Sequence, residues 1–93
     1  MNGGVVLNIT DVRMRRIFDD NALKAICSVT IDGELAIHDI KLVKTGDKML
    51  VVMPAKKTGR GEFVDIVHPI NSGTRAMLEN AIISEYNLII KKR

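Results

Sequence analysis

The sequence predicts an α+β fold: an antiparallel sheet of about five strands with a C-terminal helix packed on it. Three observations carry this expectation. From Leu23 to Ile31 every second residue is apolar, with Lys24, Ser28 and Thr30 among those between, the period of a strand with one face in a core. Asp32-Gly33 follows at once and suits a tight mirror-image turn into a second strand, because both residues tolerate positive φ. Further on, Thr74, Met77, Leu78, Ala81 and Ile82 recur at the spacing of one helix face. Strands come before the helix and do not alternate with helices, so they are read as a meander without crossover units.

At 93 residues the chain suits one domain over 1–93, small enough that pairing with a second copy would add stability. Apolar residues make up 46% and charged residues 27%, the balance of a globular protein. Aromatic residues are only 3%, so the core must be built from Ile, Val, Leu and Met. Recognition of single-stranded RNA by several stacked bases is disfavoured for the same reason. The single Cys27 excludes an internal disulfide framework. No apolar run reaches the length of a membrane span, and Met1 to Asn8 lacks the pattern of a signal peptide, so a cytoplasmic protein is expected.

Residues 1–8, with Gly3-Gly4, read as a flexible lead-in. From Ile9 to Phe18 a strand with one wet face is expected, with Val12, Met14 and Phe18 on one side and Asp11, Arg13 and Arg15 on the other. Arg16 falls on the apolar side by count, which implies a nearby bulge or a stem laid along the core edge. After the turn at Asp19-Asp20-Asn21, the second strand places Leu23, Ala25, Cys27, Val29 and Ile31 on the core face. A two-residue turn at Asp32-Gly33 then sets Val29 against Ala36, Cys27 against His38, Ala25 against Ile40 and Leu23 against Leu42. The return strand should span about Leu35 to Val43, with a further turn at Thr45 to Lys48. Met49 to Met53 is a continuous apolar run, the mark of a strand buried on both faces, and Pro54 ends its pairing. A basic loop follows, then a strand from Glu62 to Val67 that stops at His68-Pro69. Asn71 or Ser72 is a good cap for a helix over about 71–87.

The run MPAKKTGRGEFVDIVHPIN, taken with ITDVRMRRI near the front and NSGTRAMLENAI near the back, closely resembles the stage V sporulation protein G (SpoVG) family of bacterial septation regulators. The resemblance covers nearly the whole chain. It implies a nucleic-acid-binding regulator that acts as a dimer, and it carries the family's basic positions to Arg13, Arg15, Lys56, Lys57 and Arg75. Ala55 stands where the family commonly has serine, Gly59-Arg60 where it has Pro-Asp, and Val64 where it has a basic residue. Arg60 is therefore an extra charge of this chain, and the loop should be more flexible and more basic than usual.

The net charge is +3, and its distribution says more than its size. Basic residues gather at Arg13, Arg15 and Arg16, at Lys56, Lys57 and Arg60, and at Lys91 to Arg93. Clustering of this kind fits a polyanion, while scattered solvated charge is the plainer alternative. The TGRG segment could cradle a phosphate but lacks a Walker ending and the helix that should follow. His38-Asp39 and Asp65 with His68 offer metal-ligand types without a third strong ligand at matching spacing, so hydrogen-bonded structural histidines, an absence of metal or cofactor, and no enzyme are expected. Cys27, in mid-strand on an apolar face, reads as a small hydrophobe. Arg75 could pair with Glu79 one helical turn on. The expected function is binding of DNA, with RNA open to the same phosphate chemistry, through Arg13, Arg15, Lys56, Lys57, Arg60 and Arg75, by a homodimer joined through sheet edges. The competing class is a protein-interaction module of the division or sporulation machinery.

Overall fold

The computed structural model describes residues 7–92, so most of the lead-in segment lies outside the described residues. Its last residue is tied down: the Asn8 N–H donates to Asp32 Oδ1 at 3.1 Å, and the Asp32 N–H returns a bond to the Asn8 carbonyl at 2.8 Å. Strands β1 (Ile9–Ile17), β2 (Leu23–Ile31), β3 (Leu35–Thr45) and β4 (Lys48–Val52) form one antiparallel sheet in sequential order. Strands β5 (Ala55–Lys57) and β6 (Phe63–Asp65) form a separate two-stranded ribbon, and α1 (Ser72–Lys91) closes the fold. The α+β architecture is as expected, but the single sheet of about five strands is instead a sheet of four and a ribbon of two. Pro54 accounts for the break. It ends β4 without a donor, and its carbonyl instead accepts the Ile66 N–H at 2.8 Å, which pins the base of the ribbon.

The core lies between one face of the sheet and the helix. Ala25, Cys27 and Val29 from β2, Ile40 and Leu42 from β3, Val51 from β4, Met53, and Leu78 and Ile82 from α1 form a single buried cluster. Asn71 caps the helix by accepting the Thr74 N–H on Oδ1 at 2.7 Å, and the helix runs four residues beyond the expected end. Ile83 and Tyr86 continue the apolar contact past Ile82 and Ile89 is partly buried beyond them, which accounts for the extension.

The β2–β3 register differs from the expected one. Asp32 and Gly33 adopt φ of 54° and 67°, and the Glu34 N–H bonds the Ile31 carbonyl at 3.0 Å, so the mirror-image turn forms. Glu34 is then an extra residue, and Leu35 opposes Ile31, with Ile37 opposite Val29. A bulge follows in which His38 and Asp39 together face Ser28, with Asp39 at φ 61°, and Ile40 opposes Cys27. The cause is visible in the apolar spacing. Ile37, Ile40 and Leu42 can share a face only if one extra residue lies between Ile37 and Ile40, and the bulge supplies it. It keeps Ile40 and Leu42 in the core and puts His38 and Asp39 on the exposed outer face, not against Cys27.

A second bulge lies in β1. Met14 opposes Cys27 and Arg16 opposes Ile26, which leaves Arg15 as the additional residue. This is the bulge implied by the position of Arg16. It brings Ile17 onto the core face in place of Phe18, whose ring instead lies 5.1 Å below the Arg16 guanidinium. The run Met49 to Met53 is not a doubly buried strand: β4 is an edge strand, with Val51 buried and Leu50 and Val52 exposed on its other face.

Candidate nucleic-acid interface

Three regions carry the candidate basic residues. The first is the ribbon. In β5–β6, Ala55 pairs with Asp65, Lys56 with Val64 and Lys57 with Phe63, and all six residues are exposed. Successive side chains alternate, so Lys57 and Phe63 share one face while Lys56 and Val64 share the other. Lys56 and Lys57 thus belong to a paired strand, not to the loop, and cannot lie side by side on one surface. Arg60 sits in the turn at the ribbon's tip. The Thr58 hydroxyl orders that turn by accepting the Arg60 and Glu62 N–H groups at 3.2 and 3.3 Å. Gly61, at φ 85°, adopts a conformation that a side chain would strain.

The second region is the outer face of the sheet, opposite the helix. Arg13 and Arg15 both project there from β1, as their alternation predicts. Their surroundings differ. Arg13 Nε donates to Asp11 Oδ2 at 2.8 Å, so its charge is largely offset. Arg15 Nε donates to the hydroxyl of Ser28 at 3.2 Å, which leaves its charge uncompensated. Ser28 Oγ in turn lies 2.9 Å from His38 Nδ1, so one line of hydrogen bonds crosses three strands. Arg13 pairs with Asp11, whereas Lys56, Lys57, Arg60 and Arg75 are in no ion pair among the described residues, and the Arg75–Glu79 pair does not form. Arg75 is exposed in the first turn of α1, on the helix side of the sheet. The six candidate residues therefore occupy three places and not one flat patch: the ribbon, the outer face, and the helix start.

Ser28 and His38 were not legible as members of this region. The signal for His38 was the spacing of three between Ile37 and Ile40, which demands a bulge. Cys27 is fully buried, and burial pushes its thiol up to about 11 from an ordinary 9.0, which fits a packing role. Among the described residues no three His, Cys, Asp or Glu side chains are grouped to hold a metal ion, and no helix is long and apolar enough to cross a membrane.

A helix on one face of an antiparallel sheet, with a cationic ribbon beside it and arginines elsewhere, defines a small α+β domain. The profile of the SpoVG family matches residues 7–88, and the chain belongs to that family. It is 51% identical over 82 residues to septation protein SpoVG 1 of Listeria monocytogenes, an alignment that covers 88% of this chain and 80% of the relative. A septation protein SpoVG of Caldanaerobacter subterraneus is 49% identical over 80 residues, covering 86% of this chain and 88% of the relative. One from Bacillus cereus is 44% identical over 81 residues, covering 87% and 84%.

Proposed function

We propose that this chain is a regulator of septation or sporulation that acts by binding nucleic acid through phosphates. The observation that carries the reading is the ribbon: a narrow, exposed two-stranded arm with Lys56 on one face, Lys57 on the other and Arg60 at the tip, none of them in an ion pair. A two-stranded ribbon has the width that the major groove of DNA admits, and cations on both its faces would meet the phosphates of both walls. With few aromatics and no recognition helix, affinity comes chiefly from counterion release and depends little on sequence. The septation names of the relatives support the process, and DNA is the ligand on this reading, with RNA open to the same contacts.

The test is binding of generic duplex DNA by the purified protein as salt is raised. If one protomer neutralises about four phosphates, log affinity falls with log salt at a slope of about −3 to −4, about a hundredfold between 50 and 200 mM. Because the two lysines lie on separate faces, Lys56→Ala and Lys57→Ala should each reduce that slope by about 0.9, and the double variant by about 1.8. Asp47→Ala, in the β3–β4 turn, is the control and should change little. Binding that the double variant leaves unaltered at every salt concentration would refute the ribbon's role. It would favour a protein-interaction module, a reading supported by the exposed apolar side chains of Phe63, Val64, Ile66, Val67 and Ile70.

A further inference from the structure

Ser28 is the one buried polar side chain among the described residues, at 6% exposure; the β3 bulge lies directly opposite it, and the β1 bulge lies opposite the adjoining step from Cys27 to Ile26. The β1 bulge releases Arg15 to reach Ser28 Oγ with Nε, and the β3 bulge sets His38 Nδ1 at 2.9 Å from the same oxygen. Bulges commonly re-aim side chains beside functional sites, and Asp39, the bulge residue next to His38, takes a left-handed φ of 61° that aspartate tolerates. We propose that Ser28 and His38 are positioning residues that hold the Arg15 guanidinium with its two Nη groups turned outward as a fixed fork for a phosphodiester.

The donor chemistry fixes the arrangement. An arginine offers only donors, so the Ser28 oxygen must accept from Arg15 Nε. The hydroxyl hydrogen then has one partner within reach, His38 Nδ1, and leaving a buried donor unmade is costly. Nδ1 therefore accepts, and the imidazole carries its proton on Nε2. A hydroxyl so oriented presents its lone pairs to Arg15 and locks the guanidinium plane. The fork geometry of two parallel N–H groups matches two phosphate oxygens, and since Ser28 is neutral the full cationic charge remains for the ligand. Arg13 differs in this respect, because Asp11 already occupies it. The inference rests on the nucleic-acid reading and adds to it a ranking: Arg15, and not Arg13, is the outer-face contact, and two uncharged partners set its strength.

The experiment compares Arg15→Ala, Ser28→Ala, Ser28→Thr and His38→Leu by duplex DNA binding across salt, alongside nitrogen-15 NMR of the Arg15 Nε–H and the His38 ring. Arg15→Ala should lower the salt slope by about 0.9. Ser28→Ala keeps every charge, so it should weaken binding about three- to tenfold at an unchanged slope, with loss of the protected Nε–H signal. Ser28→Thr should restore both. His38→Leu alters an exposed side chain and so keeps the question open to test if Ser28→Ala does not fold; it should weaken binding by about twofold or more. The unaltered protein should show the Nε2–H tautomer at His38. An Nδ1–H tautomer, or full affinity in both Ser28→Ala and His38→Leu, overturns the proposal while leaving phosphate binding by the ribbon intact. Failure of the unaltered protein to bind any nucleic acid overturns both.

Discussion

Cys27 shows what a single buried side chain contributes. Its thiol is fully enclosed among Ala25, Val29 and Ile40, and desolvation raises its pKa from 9.0 to about 11. The folded state keeps this proton where the unfolded chain loses it. The resulting stability is fully present below pH 9 and is lost as pH climbs from 9 to about 11, by at most about 3 kcal/mol. Chemical denaturation of the native chain and of Cys27→Ala across that window checks this: the difference between them should shrink as pH rises. A thiol reagent at neutral pH should label the native protein no faster than it unfolds. Burial of this residue was readable from the period of two in β2, because Leu23, Ala25, Cys27, Val29 and Ile31 are all apolar while the other face carries Lys24, Ser28 and Thr30. His38 was not readable, because its placement depends on a turn residue and a bulge that shift the register twice in β3.

Among the elements, β2 and α1 followed directly from their periods; β6 lies within the strand expected over Glu62 to Val67 but is shorter, and β5 falls in what was read as loop. The reason is energetic. β2 and α1 are held by the core they face, so their apolar spacing records their structure, whereas the ribbon buries little, and the strand character of β5 rests on backbone pairing that leaves no periodic trace. The helix offers two tests of graded size. Ile82→Ala empties a fully buried site between helix and sheet and should cost about 2 to 5 kcal/mol of unfolding free energy. Asn71→Ala removes the acceptor of the Thr74 N–H and should cost about 1 kcal/mol, while Asn71→Asp should retain most of the cap. Denaturant titrations of the three variants should preserve that order. An Asn71→Ala loss as large as that of Ile82→Ala would mean that the cap holds more than the helix end, for instance the whole link from Pro69 to Ser72.

At the scale of the whole molecule, the described surface carries several large apolar side chains between Phe63 and Ile70. Phe63 is 72% exposed and Ile70 is 88% exposed, with Val64, Ile66 and Val67 between them in sequence. Next to them an apolar cleft runs between Leu35, Ile37, Met53, Val67, Pro69 and Met77. Among the described residues, both edges of the four-stranded sheet, β1 and β4, also lack a pairing strand. Unpaired edges and exposed large apolar side chains are each a liability for an isolated protein, and a second copy placed across a two-fold axis would cover an edge and part of the apolar surface. We therefore expect a homodimer in which the β6 segment and a sheet edge of one protomer meet the other. A pair of this kind would also present two ribbons to one duplex and raise the salt dependence accordingly. Sedimentation at micromolar concentration should give twice the 10.3 kDa chain mass. Ile66→Glu, on an exposed side chain whose loss the monomer fold should tolerate, should shift the species toward the monomer. The same variant should weaken DNA binding at a given protein concentration while leaving the circular dichroism spectrum unchanged. A 10.3 kDa species alone for the unaltered protein, with the ribbon still binding DNA, would require each protomer to act singly and would leave the apolar surface for a different protein partner.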